Sequence, residues 1–134
     1  KEKLSDFEGG YSTEEETKET IGATYKSTGY VMDTHTAVAA HVSRAYRDAS
    51  KDQKKMLVAS TASPYKFARS VMTAIDEKYD ELEEFALIDE LEKVSGVAIP
   101  NAIEEIRNAQ IRHTKECDVD KMKETVKEIL GVEE

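Results

Sequence analysis

Residues 56–67 read MLVASTASPYKF. Ser60, Thr61 and Ser63 crowd three hydroxyls into this stretch, and Lys66 follows as a cation. Hydroxyls both donate and accept hydrogen bonds, while an ammonium only donates. Where an apolar run ends and a helix starts, free backbone N–H groups add to that capacity. A turn of this kind is chemically suited to an anion or to a cofactor. The plainer reading is that the hydroxyls cap a helix and Lys66 points into water. Lys66 is nonetheless out of place, because a cation in a first helical turn is disfavoured by a few tenths of a kcal/mol.

A second turn, GYVMDTHTAVA at 29–39, carries Asp33, Thr34, His35 and Thr36. His35 is the group there most able to titrate near neutral pH. If the two turns are neighbours, their side chains meet. A metal site is not expected. His113 and Cys117 stand at a helical spacing, but one imidazole–thiol pair without further ligands is a weak signal. There is no glycine-rich phosphate loop.

The elements that must position these residues follow from periodicity and punctuation. Residues 1–11 form an irregular lead-in closed by Gly9 and Gly10. Ser12 with Glu15 predicts a capping box, and a helix from there to about Ser27 ends at Gly29. Tyr30-Val31-Met32 predicts a short strand, and Asp33-Thr34 the cap of a helix over 36–49. Met56–Ala59 predicts a second buried strand, after the polar loop SKDQKK. Ser63 and Pro64 then start a helix with Ala68, Val71, Met72 and Ile75 on one face.

Leu82, Phe85, Leu87, Ile88, Leu91 and Val94 predict a helix near 80–95, stopped by Gly96. Asn101 with Glu104 predicts the capping box of a short helix. Asp118 predicts the cap of the last one, whose stripe is Val119, Met122, Val126, Ile129 and Leu130. The fold expected is therefore α/β, with two short parallel strands, about 30–33 and 56–60, flanked by about six helices. Two such strands cannot form a stable sheet alone. With a chain that begins at Lys1, this leads to the expectation of a piece of something longer.

Composition narrows the function classes. The 134 residues carry 28 acidic and 19 basic side chains, a net charge of −9. Nucleic acid and anionic membrane surfaces both need a cationic face, so neither is an expected partner. The single cysteine, Cys117, excludes an internal disulfide and favours a reducing compartment, so a cytoplasmic protein is expected. No long apolar stretch or signal-peptide pattern is present.

Three motifs, F-E-G-G-Y, T-G-Y-V-M-D-T-H-T-A-V-A and S-T-A-S-P-Y-K-F, occur in this order over residues 7–67. Together they resemble the C-terminal part of the threonine synthases, and the helices of 80–134 resemble the tail of that family. The resemblance implies a pyridoxal-phosphate enzyme of the tryptophan-synthase-like fold type II. Its reaction converts O-phosphohomoserine and water into threonine and phosphate by γ-elimination and β-addition. Residues 1–79 would complete the cofactor-binding domain, and 80–134 would be a helical tail.

The family's Schiff-base lysine motif has no match here. The resemblance therefore implies an isolated chain that is inactive and does not hold the cofactor covalently. It also implies a missing N-terminal part as partner. The unpaired strand edges and the apolar surface left exposed lead to the expectation of either self-association or loose behaviour of the piece alone. Thr61 takes the role of the hydroxyl that bonds the pyridine nitrogen, with Ser60 the second candidate. Lys66 and His35 become candidates for the substrate or phosphate pocket. Many relatives read H-P-A-K where this chain has S-P-Y-K, and D-P-H-T where it has D-T-H-T. The departures spare Thr61, Lys66 and His35. The alternative, from the residues alone, is a stand-alone acidic helical module that binds a protein or phosphate.

Overall fold

A computed structural model describes residues 6–132. The first part of the lead-in, 1–5, lies outside the described residues. Among the described residues six α-helices make up the frame: α1 (Glu14–Thr28), α2 (Thr34–Ser50), α3 (Ala68–Ile75), α4 (Glu84–Ser95), α5 (Asn101–Arg107) and α6 (Met122–Leu130). Short 3-10 turns at Pro64–Phe67, Glu77–Glu81 and Val119–Lys121 precede α3, α4 and α6.

Among the described residues there is no strand, so the expected α/β class with parallel strands at 30–33 and 56–60 is corrected to all-helical. Residues 30–33 are a tight connector between α1 and α2, not a strand. Val31 and Met32 point into the core, at 7% and 5% exposure. Residues 56–60 run irregularly over the surface, and Leu57 is 94% exposed. An apolar run becomes a strand only where a ladder partner takes up its N–H and C=O groups. Neither segment finds the other, and the apolar content that suggested buried strands serves two different ends.

Helix boundaries follow local chemistry. The N-cap of α1 is Thr13, one residue beyond the expected Ser12. Its side chain accepts from the Glu16 amide, and Glu16 returns a bond to the Thr13 N–H, completing the capping box. Gly29 closes α1 in the left-handed conformation (φ 74°) that a side chain disfavours. Asp33 caps α2, and Ser63 caps the Pro64 turn, both as expected. The Asn101–Glu104 box does not form: Pro100 occupies the cap position and makes no side-chain cap bond.

The core lies where α1 packs on α2 and α3, and α3 on α4. Ile21, Met72, Leu87, Leu91 and Val71 are fully enclosed there. The crossing of α1 and α3 is close because Gly22 has no side chain; a Cβ there would stand 2.5 Å from the carbonyl oxygen of Ala74. Gly10 plays the same part in the lead-in, where a Cβ would meet Val42 Cγ1 at 2.6 Å. Arg107 fastens α5 to α4 through Asp89 at 2.6 Å. The stripe of α6 stays outside this core: Val126, Ile129 and Leu130 are all more than half exposed.

Candidate functional site

The two sequence turns meet without any sheet to align them. Asp33 is 1% exposed at the start of α2. Its Oδ1 accepts from the backbone N–H groups of His35 and Thr36, at 2.9 and 3.3 Å. Its Oδ2 accepts from the hydroxyl of Thr36 through a short hydrogen bond. That hydroxyl has one proton, which is committed to the carboxylate. Its contact with Ser60 Oγ at 2.8 Å is therefore a bond donated by Ser60. Ser60 Oγ also stands 3.4 Å from Asp33 Oδ2. A relay Ser60→Thr36→Asp33 thus pins the irregular segment to the head of α2.

Burial pushes the Asp33 carboxyl up, but the bonds from Thr36 and His35 outweigh it and hold the group below its ordinary value. Its negative charge also suits a helix N-terminus. His35 Nδ1 lies 3.3 Å from Asp33 Oδ1, while the rest of the ring reaches solvent. The ring is tilted against Phe67, with centroids 5.4 Å apart. Lys66 Nζ lies 5.5 Å from the centroid of the same Phe67 ring. His35, Phe67 and Lys66 therefore form an exposed row beside the buried Asp33–Thr36 pair.

The two hydroxyls singled out by sequence differ in availability. Ser60 has spent its proton on Thr36. The Thr61 side chain is exposed and has no hydrogen bond among the described residues, so its proton is free. Ser63 is occupied as a cap, accepting from the Tyr65 N–H at 3.3 Å. Tyr65 itself is buried, and its hydroxyl donates to the carbonyl of Val97 just beyond α4. Burial raises its pKa above the ordinary phenol value, with Ser95 opposing and Glu92 adding to the effect.

Sequence reasoning assigned Asp33 a capping role and did not find it as the hub that collects Ser60. The spacing D-x-x-T marks the local part of this cluster; the link to Ser60 is tertiary. Phe67 was also missed. Its signal was the aromatic position directly after Lys66. Among the described residues no group of three or more His, Cys, Asp and Glu side chains could hold a metal ion.

A family model described as "Threonine synthase, C-terminal" matches residues 36–129. The chain belongs to this threonine synthase family. Ser60, Thr61 and Lys66 lie inside the matched range, while Asp33 and His35 fall just before it. Threonine synthase of Corynebacterium glutamicum is 34% identical over 102 residues, covering 75% of this chain and 20% of that protein. Threonine synthase-like 1 of mouse is 40% identical over 78 residues, covering 58% of this chain and 10% of that protein. The human protein of that name is 37% identical over the same length. The chain thus spans a tenth to a fifth of the curated relatives it matches. Among the described residues of this threonine synthase region, no helix is long and apolar enough to cross a membrane.

Proposed function

We infer that the chain is the C-terminal part of a cytoplasmic threonine synthase, which makes threonine and phosphate from O-phosphohomoserine and water. Family membership supports this reading, and the single observation that carries the site assignment is the free Thr61 hydroxyl. Pyridoxal phosphate, when bound, supplies an electron sink for the carbanions of such a reaction. Its pyridine nitrogen needs a donor that does not force protonation. A hydroxyl meets that need, and Thr61 is the one of the three that no hydrogen bond engages among the described residues, Ser60 being tied to Thr36 and Ser63 held as a cap.

The residues around Thr61 then acquire roles. Ser60 is a positioning residue: its bond to Thr36 fixes the backbone directly before Thr61. Asp33 holds Thr36 for that bond. Lys66 and His35, side by side on Phe67, supply a cation and a titratable ring for the substrate or its phosphate. Residues 1–79 complete the cofactor-binding domain in this reading, and 80–134 form the helical tail. The Schiff-base lysine and the remaining walls of the active site come from an N-terminal part.

The test is Thr61→Val against Thr61→Ser in the full-length enzyme. Loss of a hydrogen bond to a charged or polarised cofactor costs about 1.5–3 kcal/mol, or roughly tenfold to a hundredfold in rate. Thr61→Val should lose that much turnover while keeping its thermal stability, and Thr61→Ser should recover most of it. Unchanged turnover in Thr61→Val would remove the assignment.

A further inference from the structure

A cleft of about 440 Å³ lies between the later turns of α2 and the segment that returns past it. Arg44, Arg47, Lys55 and Gln53 line it, and no carboxylate does. Arg44 and Arg47 are three positions apart on α2 and so share a face. Lys55 reaches the same cleft from the returning segment. The chain has 28 acidic side chains to 19 basic ones, so uncompensated cations gathered at one cavity stand against its overall balance. Like charges at close range repel, and an anion between them removes that cost.

The cleft is also held in shape. Arg44 Nη2 donates to Thr24 Oγ1 at 2.9 Å, which fixes its guanidinium against α1 and leaves other N–H groups open. Ser43 Oγ donates to Met56 Sδ at 2.8 Å, tying the returning segment to α2. The side chains of Arg47 and Lys55 have no hydrogen bond or ion pair among the described residues. Met56 and Val58 add an apolar wall.

We propose that this cleft binds a phosphate group. Guanidinium forks match the oxygens of a phosphate, and three cations suit its multiple charge better than a single carboxylate. The net charge of −9 disfavours an extended polyanion or a lipid surface. The site is distinct from the Thr61 turn: Arg47 lies roughly 16 Å along the α2 axis from Thr36. It takes either free phosphate or a phosphomonoester whose organic part rests on Met56 and Val58.

The experiment is a titration of the protein with inorganic phosphate in dilute chloride buffer, followed by amide chemical shifts. Saturable shifts confined to residues 40–58 are expected. Arg47→Gln and Lys55→Gln should each weaken the affinity about tenfold, the loss of one charge-assisted hydrogen bond. Neither side chain holds a protein partner, so melting temperatures should stay unchanged. A parallel titration uses O-phosphoserine: tighter binding than phosphate identifies a phosphomonoester site, and equal binding a free-phosphate site. A response matched by chloride at equal ionic strength overturns the proposal, as does an affinity unchanged in both variants. Thr61 and Lys66 are untouched throughout, so failure here leaves the proposed function standing.

Discussion

Asp33 keeps a carboxylate out of water because donors reach both of its oxygens. Replacing it with asparagine preserves the size and the cap acceptor but sets an amide N–H₂ against the Thr36 hydroxyl that donates to it. A stability loss of about 1–3 kcal/mol is expected for Asp33→Asn at neutral pH, read by denaturant unfolding. The pH dependence has a definite sign. A carboxyl depressed in the folded state contributes its full share above the unfolded value of about 4, and loses it as pH falls through the folded one. The gap between wild type and Asp33→Asn should therefore be widest near neutrality and close below about pH 4. A gap independent of pH would mean that the charge is not what the donors hold. The local half of this cluster was legible in the sequence, since a cap reads its own next three residues. The bond from Ser60 to Thr36 was not, because it spans 24 positions and depends on how the segment after α2 folds back.

Elements show the same division between local and tertiary information. Caps at Gly29, Asp33, Ser63 and Gly96 were readable because each depends on backbone geometry at one residue. The start of α4 was placed near 80, whereas a 3-10 turn fills 77–81 and the α-helix begins at Glu84. Arg69 explains this offset. Its guanidinium bonds the carbonyls of Asp80 and Leu82 and the Glu84 carboxylate, which holds the connection in a non-α path. The strands were misread for a different reason: periodicity reports which residues are apolar, not whether a ladder partner exists. Gly22 gives a test at this scale. Alanine would gain about 1 kcal/mol of helix propensity, yet its Cβ would force α1 from the Ala74 carbonyl at a cost of about 1–3 kcal/mol. A lowered melting temperature is expected for Gly22→Ala. Gly9→Ala should change it little, since nothing lies within 4 Å of that position. Equal behaviour of the two variants would refute the close-crossing account.

At the scale of the whole molecule, the core and α6 stand in contrast. The four-helix core encloses its apolar residues, while Val119, Met122, Val126, Ile129 and Leu130 on and before α6 remain open to water. Exposed stripes of this size favour association. The 134-residue chain alone should self-associate in light scattering, and Val126→Ser with Ile129→Ser should return it to a monomer. A monomeric wild type at high concentration would show that the stripe has no affinity for itself. The bond from Tyr65 to Val97 has a last consequence. It joins residues 32 positions apart and closes α3, the Asp80 connection and α4 into a clasp. A protease that cuts the exposed backbone near Asp80 would sever the chain without freeing either part. Two fragments should then co-migrate under native conditions and separate only in denaturant, with the Ser60–Thr61 turn still carried on the larger assembly.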